Sequence, residues 1–267
     1  MKKLSIIAVA FAAILVASCG GQKSAQNVEE NDSTKSFEQT QIEASIKMHF
    51  DSLAAELGKL KQLPVAKDAE GNLTLSKEEK QVKPDFLFDV AIAENAATLS
   101  EKYRALVALQ VDKEIAKLYE MPTEDYEKAI TKLAADINDP SFKAIEEGAD
   151  IFETTEALYN AMNENGRINY FWQMAATSLL EQLYITSQKS DAFISAFNDE
   201  AAANTTFRII LLQDAIDRLT EYDPEIAPVA EAIKPLTVLN ATTVDELKAQ
   251  LSEAKEQIAA ARNALIK

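Results

Sequence analysis

Between Ser36 and Leu63, the residues Ile42, Ile46, His49, Phe50, Leu53, Leu57 and Leu60 recur at spacings of three and four, with His49 and Phe50 adjacent. Only an α-helix, with about 3.6 residues per turn, places such residues on one face, and that face must then be covered by another element. The spacing returns in Tyr103, Val107, Val111, Ile115 and Leu118. Residues that break helices are scarce, with six glycines and seven prolines in 267 residues. The pattern and the composition therefore point the same way, to a body made of helices.

Local signals divide that body. Pro64 ends the first helix. Residues 65–75 break the pattern around Gly71-Asn72, which allows a small β-hairpin or an irregular loop. Ser76 with Glu79, and Thr243 with Glu246, have the form of capping boxes. The first opens a short helix before Pro84, the second a last helix running almost to Lys267. Between them the spacing predicts a long helix from about Asp85 to Tyr119 and another from Glu124 to about Asp136. Asp139-Pro140 starts the next, which Asn165-Gly166 ends. Residues 167–187 form the most apolar helix. Ser190 caps a short one to about Asn198, and a further helix covers about Ala201 to Glu221. Asp223-Pro224 starts a shorter one, where Pro228 fits only in the first turn and Pro235 kinks or ends it. There is no repeat of fixed period. Short links between amphipathic helices imply an antiparallel multi-helix bundle, all-α, with at most one small β-hairpin near residues 65–75.

The chain's start carries a different instruction. Lys2 and Lys3 precede Leu4 to Ala17, apolar apart from Ser5. That is 14 residues, short of the roughly 20 that span a bilayer and suited to the core of a signal peptide. The stretch ends in Val16-Ala17-Ser18-Cys19, which resembles the lipobox of bacterial lipoproteins. That resemblance implies cleavage after residue 18 and acylation of Cys19, the lone cysteine. Two or more acyl chains hold a protein stably on a membrane. With its cysteine consumed, the chain has no disulfide and no thiolate metal site. Residues 19–35 hold no aromatic residue and only Val28 as a branched aliphatic, so they read as a flexible tether. The single domain is then 36–267, roughly 230 residues, enough for a sizeable core. The first acids after Cys19, Glu29 and Glu30, lie ten residues on. In many Bacteroidetes lipoproteins, acids directly after the cysteine direct surface display, so the periplasmic face of the outer membrane is favoured here.

Removing residues 1–18 takes away Lys2 and Lys3 and no acid, so the formal charge of −16 becomes −18. This balance argues against nucleic acid, whose phosphates need Lys and Arg. Catalytic constellations are missing as well. His49 is the only histidine, so a di-iron bundle with two Glu-x-x-His motifs is excluded, as are zinc sites of His and Cys. No glycine-rich phosphate loop follows a strand. A carboxylate-based glycosidase would use a sugar cleft rich in aromatics, and this chain has one Trp and 7% aromatic residues. No catalytic residue, metal or cofactor is assigned.

The unusual feature is a polar stripe in the apolar segment 167–187. Tyr170, Gln173, Thr177, Glu181 and Tyr184 recur among Ile168, Phe171, Trp172, Met174, Leu179, Leu180, Leu183 and Ile185. A helix that apolar belongs at the centre, and its polar groups then need partners. Arg208, Gln213 or Arg218, on the helix near 201–221, can supply them. The stripe reads as an internal hydrogen-bond network or as one wall of a ligand pocket, with Trp172 beside it.

The segment Leu180-Glu181-Gln182-Leu183-Tyr184-Ile185-Thr186-Ser187, with Gln213 on the next long helix, resembles a pattern in uncharacterised α-helical lipoproteins of Bacteroidetes. It differs in having Ala175 and Ala176 where that family carries glycine. The resemblance covers about a third of the chain and implies export and a helical bundle, without an activity to carry over. The resulting expectation is a non-enzymatic, membrane-anchored lipoprotein that binds another envelope protein. Its alternatives are a small-molecule binding protein using a cleft beside Glu181 and a carboxylate-based envelope hydrolase.

Overall fold

A computed structural model of the chain describes residues 37–59, 75–144, 155–189, 193–194 and 197–266. The expected signal peptide over residues 1–18, Cys19, the expected tether through residue 35, the candidate hairpin apart from Leu75, and Ser190 lie outside these residues. Eleven α-helices are described: α1 Phe37–Lys59, α2 Lys77–Gln81, α3 Ile92–Asn95, α4 Leu99–Leu118, α5 Glu124–Ile137, α6 Thr155–Glu164, α7 Ile168–Gln188, α8 Asp199–Leu219, α9 Ala227–Ile233, α10 Val244–Glu253 and α11 Lys255–Leu265. Turns of 3-10 helix stand at Pro140–Ala144, Pro224–Ile226 and Lys234–Val238. Among the described residues there is no strand, and the fold is an all-α bundle. Ala44–Lys267 form one compact unit.

The boundaries follow the caps, including some that the apolar spacing hides. The helix expected from Asp85 to Tyr119 is two helices with a folded-back segment ahead of them. The cause is a third capping box: Thr98 Oγ1 accepts from the Glu101 amide at 3.2 Å, and Glu101 Oε2 accepts from the Thr98 amide at 2.8 Å. Asn198, expected to end a helix, instead starts α8, its side chain accepting from the Ala201 amide at 2.9 Å. The last helix is broken at Ala254, where ψ is 1°, although neither Gly nor Pro stands there. The break keeps Leu247, Leu251, Ile258 and Leu265 all buried. Asp139-Pro140 opens a 3-10 turn, with Asp139 Oδ1 accepting from the Ser141 amide. The Asn165-Gly166 stop and the Thr243 capping box stand where the sequence places them, Gly166 with φ of 66°. Pro228 sits in the first turn of α9, and Pro235 marks the change from α-helix to 3-10 turn.

α7 is the centre. It is buried without a break from Phe171 through Leu183 and packs against α4, α6, α8, α9, α10 and α11. Side-chain bonds give the helix directions. Lys102 meets Asp136 and Tyr103 meets Asp139, so α5 returns antiparallel along α4. Arg104 meets Gln173, and Asp112 lies beside Glu181, so α4 and α7 run in the same direction. Arg104 also reaches the Leu265 carbonyl, while Arg262 reaches Glu181, so α11 opposes α7. The core is completed by α1, whose Phe50, Ala54 and Leu57 are buried, with the Phe50 ring 6.0 Å from that of Trp172.

Candidate functional site: the polar stripe of the central helix

Residues spaced by four on a helix stay roughly on one side of it. α7 carries Gln173, Thr177 and Glu181 at that spacing. Facing it, α4 carries Ser100, Arg104, Ala108 and Asp112. Because the two helices run parallel, the stripes meet rung by rung.

At the first rung, Tyr170 stacks on Tyr103 with ring centroids 4.5 Å apart and planes 13° from parallel. The Arg167 guanidinium stands 5.6 Å from the Tyr170 centroid, a cation–π contact. The Tyr103 hydroxyl donates to Asp139 Oδ2, and burial followed by that bond pushes its pKa up.

Gln173 occupies the second rung. Arg104 Nη1 donates to Gln173 Oε1 at 2.8 Å, and Gln173 Nε2 donates to Ser100 Oγ at 3.3 Å. Ser100 Oγ in turn donates to Glu225 Oε2 at 2.8 Å. Arg104 Nε donates to the Leu265 carbonyl at 3.0 Å, which satisfies an orphan acceptor at the end of α11. Burial lowers the Arg104 pKa. One turn on, Thr177 turns back on its own helix, its hydroxyl donating to the Gln173 carbonyl.

Glu181 stands at the third rung, 1% exposed. Arg262 Nε donates to Oε2 at 2.6 Å and Arg262 Nη2 to Oε1 at 2.7 Å, a bidentate pair. The Arg262 guanidinium lies 3.4 Å from the Phe88 ring centroid and 4.1 Å from that of Tyr184. Asp112 completes the rung, with Oδ2 accepting from the Phe88 amide at 2.7 Å. Burial, then the Glu181 charge, raises the Asp112 carboxyl well above the usual range. Burial also raises the Glu181 carboxyl, opposed by Arg262.

The other candidate residues lie elsewhere. Trp172 points to the opposite face of α7, against Phe50, Tyr159 and Phe171, and its Nε1 has no acceptor among the described residues. Arg208 is buried within α8. Gln213 is half-buried, with Nε2 turned toward Asp217. Arg218 binds Asp214, which also takes His49 Nε2 at 3.0 Å. The partner of Glu181 is therefore Arg262 of α11 rather than Arg208, Gln213 or Arg218 of α8. Where α7 and α8 border a small gap, their side chains are apolar: Ala176 and Leu179 face Ile209 and Leu212, with Ile233 and Leu236 closing it. Arg262, Asp112, Arg104 and Phe88 were not singled out from the sequence. A signal was present, since Arg262 stands between Ile258 and Leu265 on an apolar face, and Arg104 and Asp112 interrupt another.

Among the described residues, no group of three or more His, Cys, Asp or Glu side chains is placed to hold a metal ion. No protein-family model, no curated protein and no solved structure matches this chain.

Proposed function

We propose that this chain is an exported lipoprotein, held on the outer membrane by acyl chains on Cys19 and facing the periplasm. Its helical body then works without catalysis, by binding another envelope protein through its outer surface. The sequence Val16-Ala17-Ser18-Cys19 after a short apolar stretch supports the anchor. No helix among the described residues is long and apolar enough to cross a membrane. The resemblance of residues 180–187 to α-helical lipoproteins of Bacteroidetes supports the same reading.

The surface reading rests on the state of Glu181. Its two oxygens are taken by Arg262 inside the body, so the stripe of α7 is turned to internal partners. On the outside, Phe207 and Ile210 stand one turn apart on α8, 42% and 55% exposed, in a strongly acidic chain. A fitting partner presents apolar side chains rimmed by Lys and Arg.

Two measurements on the native envelope test this reading. Cys19→Ala is expected to abolish fatty-acid labelling and to leave the precursor uncleaved; equal label in both proteins overturns the anchor. Phe207→Glu combined with Ile210→Glu is expected to keep the label and the melting temperature, and to lose the protein cross-linked to the wild type. Retention of that cross-link overturns the surface reading.

A further inference from the structure

We propose that Asp112 and Glu181 hold one proton between them, with Asp112 as the acid and Glu181 as the carboxylate, and that losing it as pH rises weakens the junction of α4, α7 and α11. This device is independent of how the protein is anchored or what it binds.

The geometry assigns the roles. Asp112, Glu181 and Arg262 are 0%, 1% and 6% exposed. Arg262 spends its fork on Glu181, which matches one cation to one anion. Its Nη2 stands 3.9 Å from Asp112 Oδ2, beyond hydrogen-bond distance. Asp112 Oδ2 has the Phe88 amide, and Oδ1 has no donor among the described residues. A second carboxylate here would be buried with no cation of its own, which is costly. As an un-ionised acid, Asp112 still accepts from Phe88, and its O–H donates to the neighbouring Glu181 carboxylate. The trio is then electrically neutral.

Other groups facing Asp112 leave that balance alone. From α7 comes Glu181, from α11 Arg262, from α5 Tyr126, and from the segment before α3 the Phe88 amide. Burial and the nearby acids push the Tyr126 hydroxyl up to about 12, so it stays neutral at physiological pH.

The sign follows from linkage. Unfolded, Asp112 titrates at about 3.9. Folded, its carboxyl holds the proton to higher pH. Between those values the native state binds the extra proton, so stability falls as pH rises, by up to about tenfold in the folding constant per pH unit. The full contribution is present only below the unfolded value and is gone above the folded one.

Asp112→Asn tests this in the purified full chain, since its amide can donate to Glu181 and accept from Phe88 at unchanged volume. The wild-type urea midpoint is expected to fall from mildly acidic to alkaline pH more steeply than that of Asp112→Asn. Parallel curves overturn the proposal. Should the variant fail to fold, the wild type decides alone. It is expected to show, at neutral pH, the infrared carbonyl band of an un-ionised carboxylic acid, and the lack of that band overturns the proposal.

Discussion

Arg262 meets its surroundings through two chemistries. Its planar face lies against Phe88 and Tyr184, and its edge donates to Glu181. Guanidinium is weakly hydrated for a cation, which makes it the ion suited to such a dry, layered site. Desolvation still offsets much of the attraction, so the pair as a whole adds little net stability. Removing one partner is another matter, because Arg262 is left with only Asp112, 3.9 Å away, or the two buried carboxyls are left with no cation. Glu181→Ala and Arg262→Ala are each expected to destabilise by roughly 3–5 kcal/mol. The double variant strands neither ion, so its loss should be well below the sum. A double-mutant cycle by urea denaturation measures this, and additivity within about 0.5 kcal/mol would show that the two do not act as a unit.

Thr98 shows at the scale of an element how a short signal outweighs a long one. Apolar spacing alone carries the helix from Asp85 through to Tyr119, and Ala96-Ala97 adds helix propensity at the joint. The reciprocal bonds of Thr98 and Glu101 nonetheless start a new helix there. This lets the preceding segment turn back until the Phe88 amide reaches Asp112. Thr98→Ala is therefore expected to cost about 1 kcal/mol, read from the urea midpoint, with faster amide exchange in the first turn of α4. That box was legible in principle, as the Ser76 and Thr243 boxes were. The break at Ala254 was not, because its cause is packing: both sides of the bend keep their apolar faces on the core. The centrality of α7 and its polar stripe were legible from composition and spacing. Its partners were harder to read, since Glu181 and Arg262 are separated by 81 residues. Only the parallel course of α4 and α7, with α11 laid against them, brings the charged positions together.

For the molecule as a whole, a formal charge of −16 sets two electrostatic effects against each other. Like charges spread over the surface repel, and that repulsion destabilises the compact state. Surface ion pairs oppose it, including Lys47 with Asp51, Lys80 with Glu120, Lys117 with Glu114, Lys128 with Asp125 and Lys132 with Glu94. All are exposed, so each contributes little, and salt weakens such contact pairs only in part. The buried Arg262–Glu181 pair is shielded from that screening. Raising ionic strength from about 0.01 M to about 0.15 M shortens the Debye length from roughly 30 Å to roughly 8 Å. Contact pairs at 2.7–3.3 Å lie far inside either length, whereas repulsion acts across the whole surface and is largely cut off. Salt is therefore expected to stabilise this protein, raising the urea midpoint over that range in sodium chloride. A midpoint that falls would mean that the surface pairs, rather than the net charge, dominate its electrostatics.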